Sequence, residues 1–343
     1  MRNLILLTAI ALPVVVSSMA QQPKIQNGQM STSTASLASE MDTLKARDAV
    51  TWVAYTIPTS HRIQNGWNPD GVSYLEGDNR HDDSDDRNET TKESYRALLL
   101  IRIAGHAVEK IRVEDPDRKL DAGGVHVEFL PNVEPETSIA VLQKLAESTG
   151  TNKVRDGAVF AISLHRSPAT LPALTALGSA GHDLQVREKA AFWLSSQYKK
   201  EALPILERWL KSDSDDRFRE KLTFNLSMMH DPASADILIR TAHEDASPRV
   251  RKQAQFWMAT LASKRVVGSL GEAAENDPDA DVRKSAVFGL SRLPNHEGTP
   301  KLIDLAQNSK DGGVRKQAVF WLGQSSDPRA LEFLTNLVKS ASN

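Results

Sequence analysis

In the second half of the chain, apolar and polar positions recur with a fixed period. The block Val314–Leu322 (VRKQAVFWL) reappears at Val282–Leu290, Val250–Met258, Phe218–Leu226, Val186–Leu194 and Val154–Ile162, every step being 32 residues with no insertion. An Arg column (Arg155, Arg187, Arg219, Arg251, Arg283, Arg315) and a Phe column (Phe160, Phe192, Phe224, Phe256, Phe288, Phe320) are filled in all six blocks. With the first residue of each block as position 0, the apolar positions 0, 4, 7 and 8 fall on one arc at about 100° per residue, and the Phe at position 6 reads as its flank. So wide an arc predicts a helix buried between neighbours. The Phe column is therefore expected to be core, and Phe256→Ala to open a cavity costing about 3–5 kcal/mol. Trp193, Trp257 and Trp321 occupy position 7 of alternate repeats, with Asn225 and Gly289 between them. Large beside small residues predicts interdigitated core filling rather than an external stacking platform, with Asn225 a buried amide that needs partners.

A second helix follows each block. Leu142, Leu174, Leu206, Leu238, Leu270, Leu302 and Leu334 keep the same phase. Ser167, Asp231, Ser263, Asn295 and Asp327 form a column of helix-capping residues that only Lys199 interrupts, and Pro168, Pro232 and Pro328 follow three of them. A short polar side chain accepts a bond from the first free N–H groups, and Pro in the first turn loses no bond it needed. Helix pairs of this kind cannot bury their faces alone and must stack. The expected fold is mainly α: a right-handed α-solenoid of six 32-residue helix pairs over residues 134–343, preceded by a small β-rich module.

The first half has a different pattern. Arg2 precedes the apolar run Leu4–Val16, and Ser18-Met19-Ala20 is a small-x-small cleavage site. Residues 1–20 read as a secretory signal peptide cleaved after Ala20, since the run is too short to span a bilayer of about 30 Å. The mature chain is expected to be secreted or periplasmic, without a transmembrane segment. Residues 21–48, rich in Ser, Thr, Gln and Asn, read as a flexible leader with one weak helix at Leu37–Lys45. Ala49–Ile57, Val72–Leu75, Arg96–Ile103, Val108–Val113 and Val125–Leu130 read as strands, with a hairpin at Ala104-Gly105-His106-Ala107. They define a β-rich module at 49–133, expected to cap the open end of the solenoid, joined to it by a helix at Glu136–Glu147. The run Asp78–Glu89 holds His81, Asp82, Asp83, Asp85 and Asp86. These are hard-cation donors, but their spacing fits no EF-hand loop, and such runs are usually solvated. Asn88-Glu89-Thr90 is a glycosylation sequon if the source is eukaryotic.

Composition narrows the functions. The chain has 343 residues and no cysteine, which excludes disulfides, thiolate metal sites and a cysteine nucleophile. Lys and Arg number 42 against 44 Asp and Glu, so no global charge points to nucleic acid. No GxSxG, HExxH, GxxxxGK or GxGxxG occurs. No catalytic, cofactor-binding or metal-binding residue is assigned.

The VRxxAxxxL blocks resemble HEAT repeats of the short bacterial type, over about residues 136–340. In that family an acid before the first helix and the helix Arg form a ladder along the stack. The resemblance implies Asp183/Arg187, Asp215/Arg219, Asp279/Arg283 and Asp311/Arg315 as its rungs, with Thr151 and Ser247 departing. Among HEAT-like enzymes, deoxyhypusine hydroxylase binds iron through four equivalent His-Glu pairs. This chain has two, His243-Glu244 and His296-Glu297, which are 53 residues apart and so out of phase. Bilin lyases carry similar repeats, and nothing else in the chain points to a pigment. The expected function is an extracytoplasmic scaffold or adaptor binding a protein or peptide partner of the cell envelope. The mixed signs of Glu207, Arg208, Arg240, Glu272 and Asp304 on the second helices favour protein over a polyanion. The alternative is a metal-dependent enzyme or hydrolase with its site in the β module, near the acidic loop, His106 and His126.

Overall fold

The computed structural model describes residues 22–63, 71–77, 95–260 and 264–341. The predicted signal peptide, the acidic run Asp78–Glu89 with its sequon, and Ser263 lie outside the described residues. The chain divides into two compact units between Thr137 and Ser138.

The first unit contains β1 (Lys24–Gln26), β2 (Met30–Thr32), α1 (Leu37–Lys45), β3 (Thr51–Thr59), β4 (Val72–Tyr74), β5 (Tyr95–Ala104), β6 (Ala107–Glu114), β7 (Lys119–Asp121) and β8 (His126–Phe129). One sheet has the order β1-β7-β4 with parallel pairing, and the other the order β2-β8-β3-β5-β6. In the larger sheet β3 runs antiparallel to β5, and β5 to β6, whereas β8 lies parallel to β3 and β2. Trp52, Ala54, Leu98, Leu100, Val127 and Phe129 pack with Leu75, Leu120 and Ala122 in one cluster. The alternate residues Val53, Tyr55, Ile57, Leu99, Ile101 and Ile103 are fully buried as well. Both faces of β3 and β5 are thus covered, which is why these strands read as continuous apolar runs. The β5–β6 hairpin turns through Gly105 and His106, at φ of 53° and 64°. Two left-handed residues are what a tight hairpin of this twist needs.

Residues 24–45 are not a leader. β1 pairs with β7 and β2 with β8, and α1 buries Leu37, Met41 and Leu44 at helical spacing and packs on β5. Ser36 caps α1 by accepting the Ser39 N–H. The polar composition misled because β1 and β2 are three-residue strands with little buried side-chain area, held by backbone hydrogen bonds.

The second unit is all helical. The helix α2 (Pro135–Ala146) leads into six pairs: α3 (Asn152–Leu164) with α4 (Thr170–Leu177), α5 (Leu184–Gln197) with α6 (Lys199–Ser212), and α7 (Asp216–Met229) with α8 (Pro232–Glu244). They continue as α9 (Pro248–Met258) with α10 (Lys264–Asn276), α11 (Ala280–Arg292) with α12 (Thr299–Asn308), and α13 (Gly312–Gly323) with α14 (Pro328–Ala341). This is the α-solenoid expected. The first helices of successive pairs pack on each other more closely than the second helices do.

The capping column holds at Asp231 and Asp327, whose carboxylates accept the N–H of Ala233 and Arg329. It fails at Asn295, which sits at φ 53° in a short 3₁₀ turn, and α12 begins only at Thr299. The delay brings Gly298 against the Leu290 carbonyl, where a Cβ would collide.

The ladder exists, but its pairings differ from those the resemblance implied. Asp183, Asp215, Asp279 and Asp311 are helix N-caps, accepting backbone N–H groups of the first turn. The Arg column instead reaches forward to the loop after the second helix of its own pair. Arg187 pairs with Asp213, Arg219 with Asp245 through two bonds of 2.9 Å, and Arg251 with Asp277 at 2.8 and 2.9 Å. Four of the six also reach back: Arg219, Arg251, Arg283 and Arg315 donate to the carbonyls of Asp213, Asp245, Asp277 and Ser309. Each such Asp thus takes one Arg on its side chain and the next on its carbonyl, so the ladder is continuous through the repeat that carries Ser247. Where the phase offers Gly181 or Ser309 instead of Asp, Arg155 and Arg283 turn to the capping Asp183 and Asp311.

The caps make the solenoid sensitive to acid. The backbone N–H groups of Val282 and Asp281 hold Asp279 below the ordinary carboxylate range, and those of Gly313 and Val314, with Arg283, do the same for Asp311. A carboxylate lowered in the folded state contributes stability above its unfolded value of about 3.9, and that stability is lost as pH falls through the folded value. In Asp279→Ser/Asp311→Ser, which keeps cap acceptors without charge, the drop in urea midpoint between pH 7 and pH 3 should therefore be smaller than in the parent. An unchanged drop would refute the assignment.

Candidate functional site: an aromatic row on the first helices

Positions 0, 4 and 8 of the first helices are buried as expected, for example Val186, Ala190 and Leu194. The Phe column is not core. Phe256 is 44% and Phe320 53% exposed, and Phe160, Phe192, Phe224 and Phe288 are half-buried. The reason is angular. The buried arc extends through position 5 and through the Arg at position 1, whose charge hid it. Its centre lies about 180° from position 6 at 100° per residue. Each Phe therefore points away from the second-helix layer.

The Trp residues at position 7 are half-buried rather than interior. Each stands between two Phe rings. Trp193 is 4.9 Å from Phe160 and 5.0 Å from Phe192. Trp257 is 4.9 Å from both Phe224 and Phe256, and Trp321 is 5.1 Å from Phe288 and 5.0 Å from Phe320. The contact within each repeat is edge-to-face, at 79–80°, and the contact to the preceding repeat is tilted. Such pairs contribute about 0.5–1.5 kcal/mol beyond area burial and hold the rings in place. Among the described residues the indole N–H groups of Trp257 and Trp321 have no hydrogen-bond partner. Asn225, at the same position in the repeat between two of the triads, is buried as predicted.

Charges on this face are unevenly placed. Position 2 carries Asp156, Glu188 and Glu220 in the first three repeats and Lys252, Lys284 and Lys316 in the last three. Asp156 meets Lys189 at 3.6 Å and Glu220 meets Arg249 at 3.7 Å. Burial pushes the Glu188 carboxyl up, against the pull of Lys221 and Lys189. Lys284 meets Asp281 at 3.4 Å, with both side chains exposed. Among the described residues Lys252, Lys316 and Arg292 make no ion pair.

Other candidates are committed elsewhere. A cavity of about 420 Å³ between α6 and α8 is lined by Glu207, Leu210, Arg219, Ile237, Arg240 and Asp245. Glu207 already takes Lys211 and Arg240, and Arg219 is held by Asp245. Arg208, Arg240 and Glu272 are exposed, whereas Glu207 and Asp304 are half-buried. His243 bonds Ser269 at 2.7 Å, and His296 sits in the 3₁₀ turn at φ 57°. In the first unit His106 contacts the Lys45 carbonyl and Asp48. His126 lies 2.7 Å from the Ser31 hydroxyl, which also donates to Glu128 at 2.6 Å. Glu128 approaches the same imidazole nitrogen, Nε2, at 3.5 Å rather than orienting the ring from Nδ1, so the three do not form a nucleophile–base–acid relay. Among the described residues no group of three or more His, Asp or Glu is placed to hold a metal ion. No helix there is long and apolar enough to cross a membrane.

Residues 179–259 and 267–343 match the HEAT repeats family. No curated protein sequence matches the chain. Human deoxyhypusine hydroxylase in complex with glycerol is similar at 18% identity and a TM-score of 0.32, over 58% of this chain and 77% of that one. The complex of CpcE and CpcF of phycocyanin lyase from Nostoc sp. PCC7120 is similar at 21% identity and a TM-score of 0.35, over 46% of this chain and 100% of that one. A Kap121p mutant is similar at 17% identity and a TM-score of 0.37, over 55% of this chain and 23% of that one.

Proposed function

We propose that this HEAT repeat protein is an extracytoplasmic, non-catalytic scaffold that binds a protein or peptide of the cell envelope along the aromatic row of its first helices. HEAT repeats generally mediate protein interaction. The observation that carries the reading is the Phe column itself. Six aromatic rings at one position, turned away from the helix layer they should fill, contribute little to the core for their size. Aromatic side chains are the residues that concentrate binding energy at protein interfaces. The address rests on the apolar run Leu4–Val16 and the Ser18-Met19-Ala20 site.

The test uses the full chain in its own cell. The mature protein should begin at Gln21 and appear in the envelope or secreted fraction. Chemical crosslinking there should capture a specific protein partner, and Phe256→Ala/Phe320→Ala should reduce that capture at least tenfold with unchanged helical circular dichroism. Undiminished capture by the double variant, or stoichiometric tightly held metal with an associated hydrolytic activity, would overturn the reading.

A further inference from the structure

We infer that the aromatic row is a track for a proline-rich peptide in the polyproline II conformation, with acidic residues at the end lying over the last three repeats. The inference rests on the scaffold reading and names its partner. The row and such a peptide share a pitch. The two Phe rings of each triad are each about 5 Å from the Trp between them, so they lie no more than about 10 Å apart, in keeping with packed helices at about 8–10 Å. A polyproline II helix has three residues per turn and rises about 3.1 Å per residue, so every third side chain returns to the same face after about 9.3 Å. A β-strand returns to one face every two residues, about 6.7 Å, short of the about 8–10 Å between packed helices. Six repeats then accommodate about fifteen residues, with an apolar ring such as proline seated at every third one.

The remaining features fit the same occupant. A polyproline II backbone makes no internal hydrogen bonds, so its carbonyls are free acceptors. The indole N–H groups of Trp257 and Trp321 are donors without a partner among the described residues. Both nitrogens are shielded in the free structure, and engaging them requires a side-chain rotation that opens the triad. Beside the rings of the last three repeats stand Lys252, Lys284, Lys316 and Arg292, with Asp281 paired to Lys284 and Asp279 facing Lys252. Asp156, Glu188 and Glu220 take the same position as these lysines in the first three repeats, beside Lys189 and Lys221. The row is basic over half its length only, which suits a peptide with one acidic end better than a uniform polyanion such as single-stranded nucleic acid.

Calorimetric titration of the full chain with synthetic probes tests this. The reference peptide has fifteen residues, proline at every third position and glutamates in its last third. It should bind at least tenfold tighter than a peptide of the same composition with the prolines grouped together, and at least fivefold tighter than one with glutamine for glutamate. Lys252→Glu/Lys284→Glu/Lys316→Glu, at exposed or half-buried positions, should erase the preference for glutamate over glutamine. Equal affinity for the grouped-proline peptide, no binding of either, or tighter binding of a fifteen-nucleotide oligo-dT would overturn the inference. If these results came with a crosslinked partner that Phe256→Ala/Phe320→Ala still releases, the scaffold reading would stand and only its occupant would be wrong.

Discussion

Replacing Arg251 by alanine is expected to lower the unfolding free energy by about 3–5 kcal/mol, because it strands the buried Asp277 carboxylate without its partner. The two side chains are only 7% and 4% exposed, and both Arg–carboxylate bonds are shorter than 3 Å. The loss extends beyond the pair, since Arg251 also donates to the Asp245 carbonyl and so ties two successive loops together. Asp277→Ala should cost a similar amount. The double variant Arg251→Ala/Asp277→Ala should cost far less than the two together, because neither charge is then left buried alone. Arg315→Ala, at an exposed side chain that bonds the Ser309 carbonyl and has no acid partner among the described residues, should cost under about 1 kcal/mol. Urea unfolding followed by circular dichroism at pH 7 measures all four. A loss at Arg251 no larger than that at Arg315 would show that the ladder does not stabilise the stack.

That contrast shows where the sequence stops being informative. The 32-residue period, the helix pairs and the longer strands are written in side-chain hydrophobicity, and the structure reproduces them to within a few residues. What the pattern could not distribute was burial among residues of the same type. The Arg column is uniform in sequence, yet its members differ according to whether residue i+26 is Asp, as at 213, 245 and 277, or Gly181 or Ser309. The capping aspartates lie closer in sequence to each Arg and looked the better partners. They were already engaged by the free N–H groups of the helix that they begin, a local demand that precedes any long-range pairing. The aromatic row was missed for a related reason. Hydrophobicity placed Phe inside, while the angle of position 6 on the helix places it outside, and once the Arg is allowed into the buried arc the angle decides. β1 and β2 escaped notice because three-residue strands made by parallel pairing leave almost no periodicity to detect.

Phe218→Ala should destabilise the protein by about 3–5 kcal/mol, whereas Phe256→Ala should cost only about 1 kcal/mol. Both are phenylalanines on first helices, but they occupy different faces, about 120° apart at 100° per residue. Phe218 stands at position 0, where the other five repeats have Val, and is fully buried. Trp209 packs on its ring at 5.7 Å between centroids, and the Arg187 guanidinium lies 3.9 Å above it. Trp209 in turn fills the space over Gly178, where a Cβ would strike the indole. Removing Phe218 therefore opens a cavity that Trp209 cannot fill without leaving Gly178, and takes away the surface on which a ladder Arg rests. Phe256 keeps 44% of its surface in solvent and meets the Trp257 ring edge-to-face, so its loss forfeits that contact and modest area. The same substitution should have the reverse order of effects on binding: the largest loss of partner at Phe256 and Phe320, and none at Phe218 in whatever fraction stays folded. Urea midpoints and crosslinking yields on the same preparations separate the two roles. A midpoint shift at Phe256 as large as that at Phe218 would return the Phe column to the core and remove the basis for an exposed aromatic track.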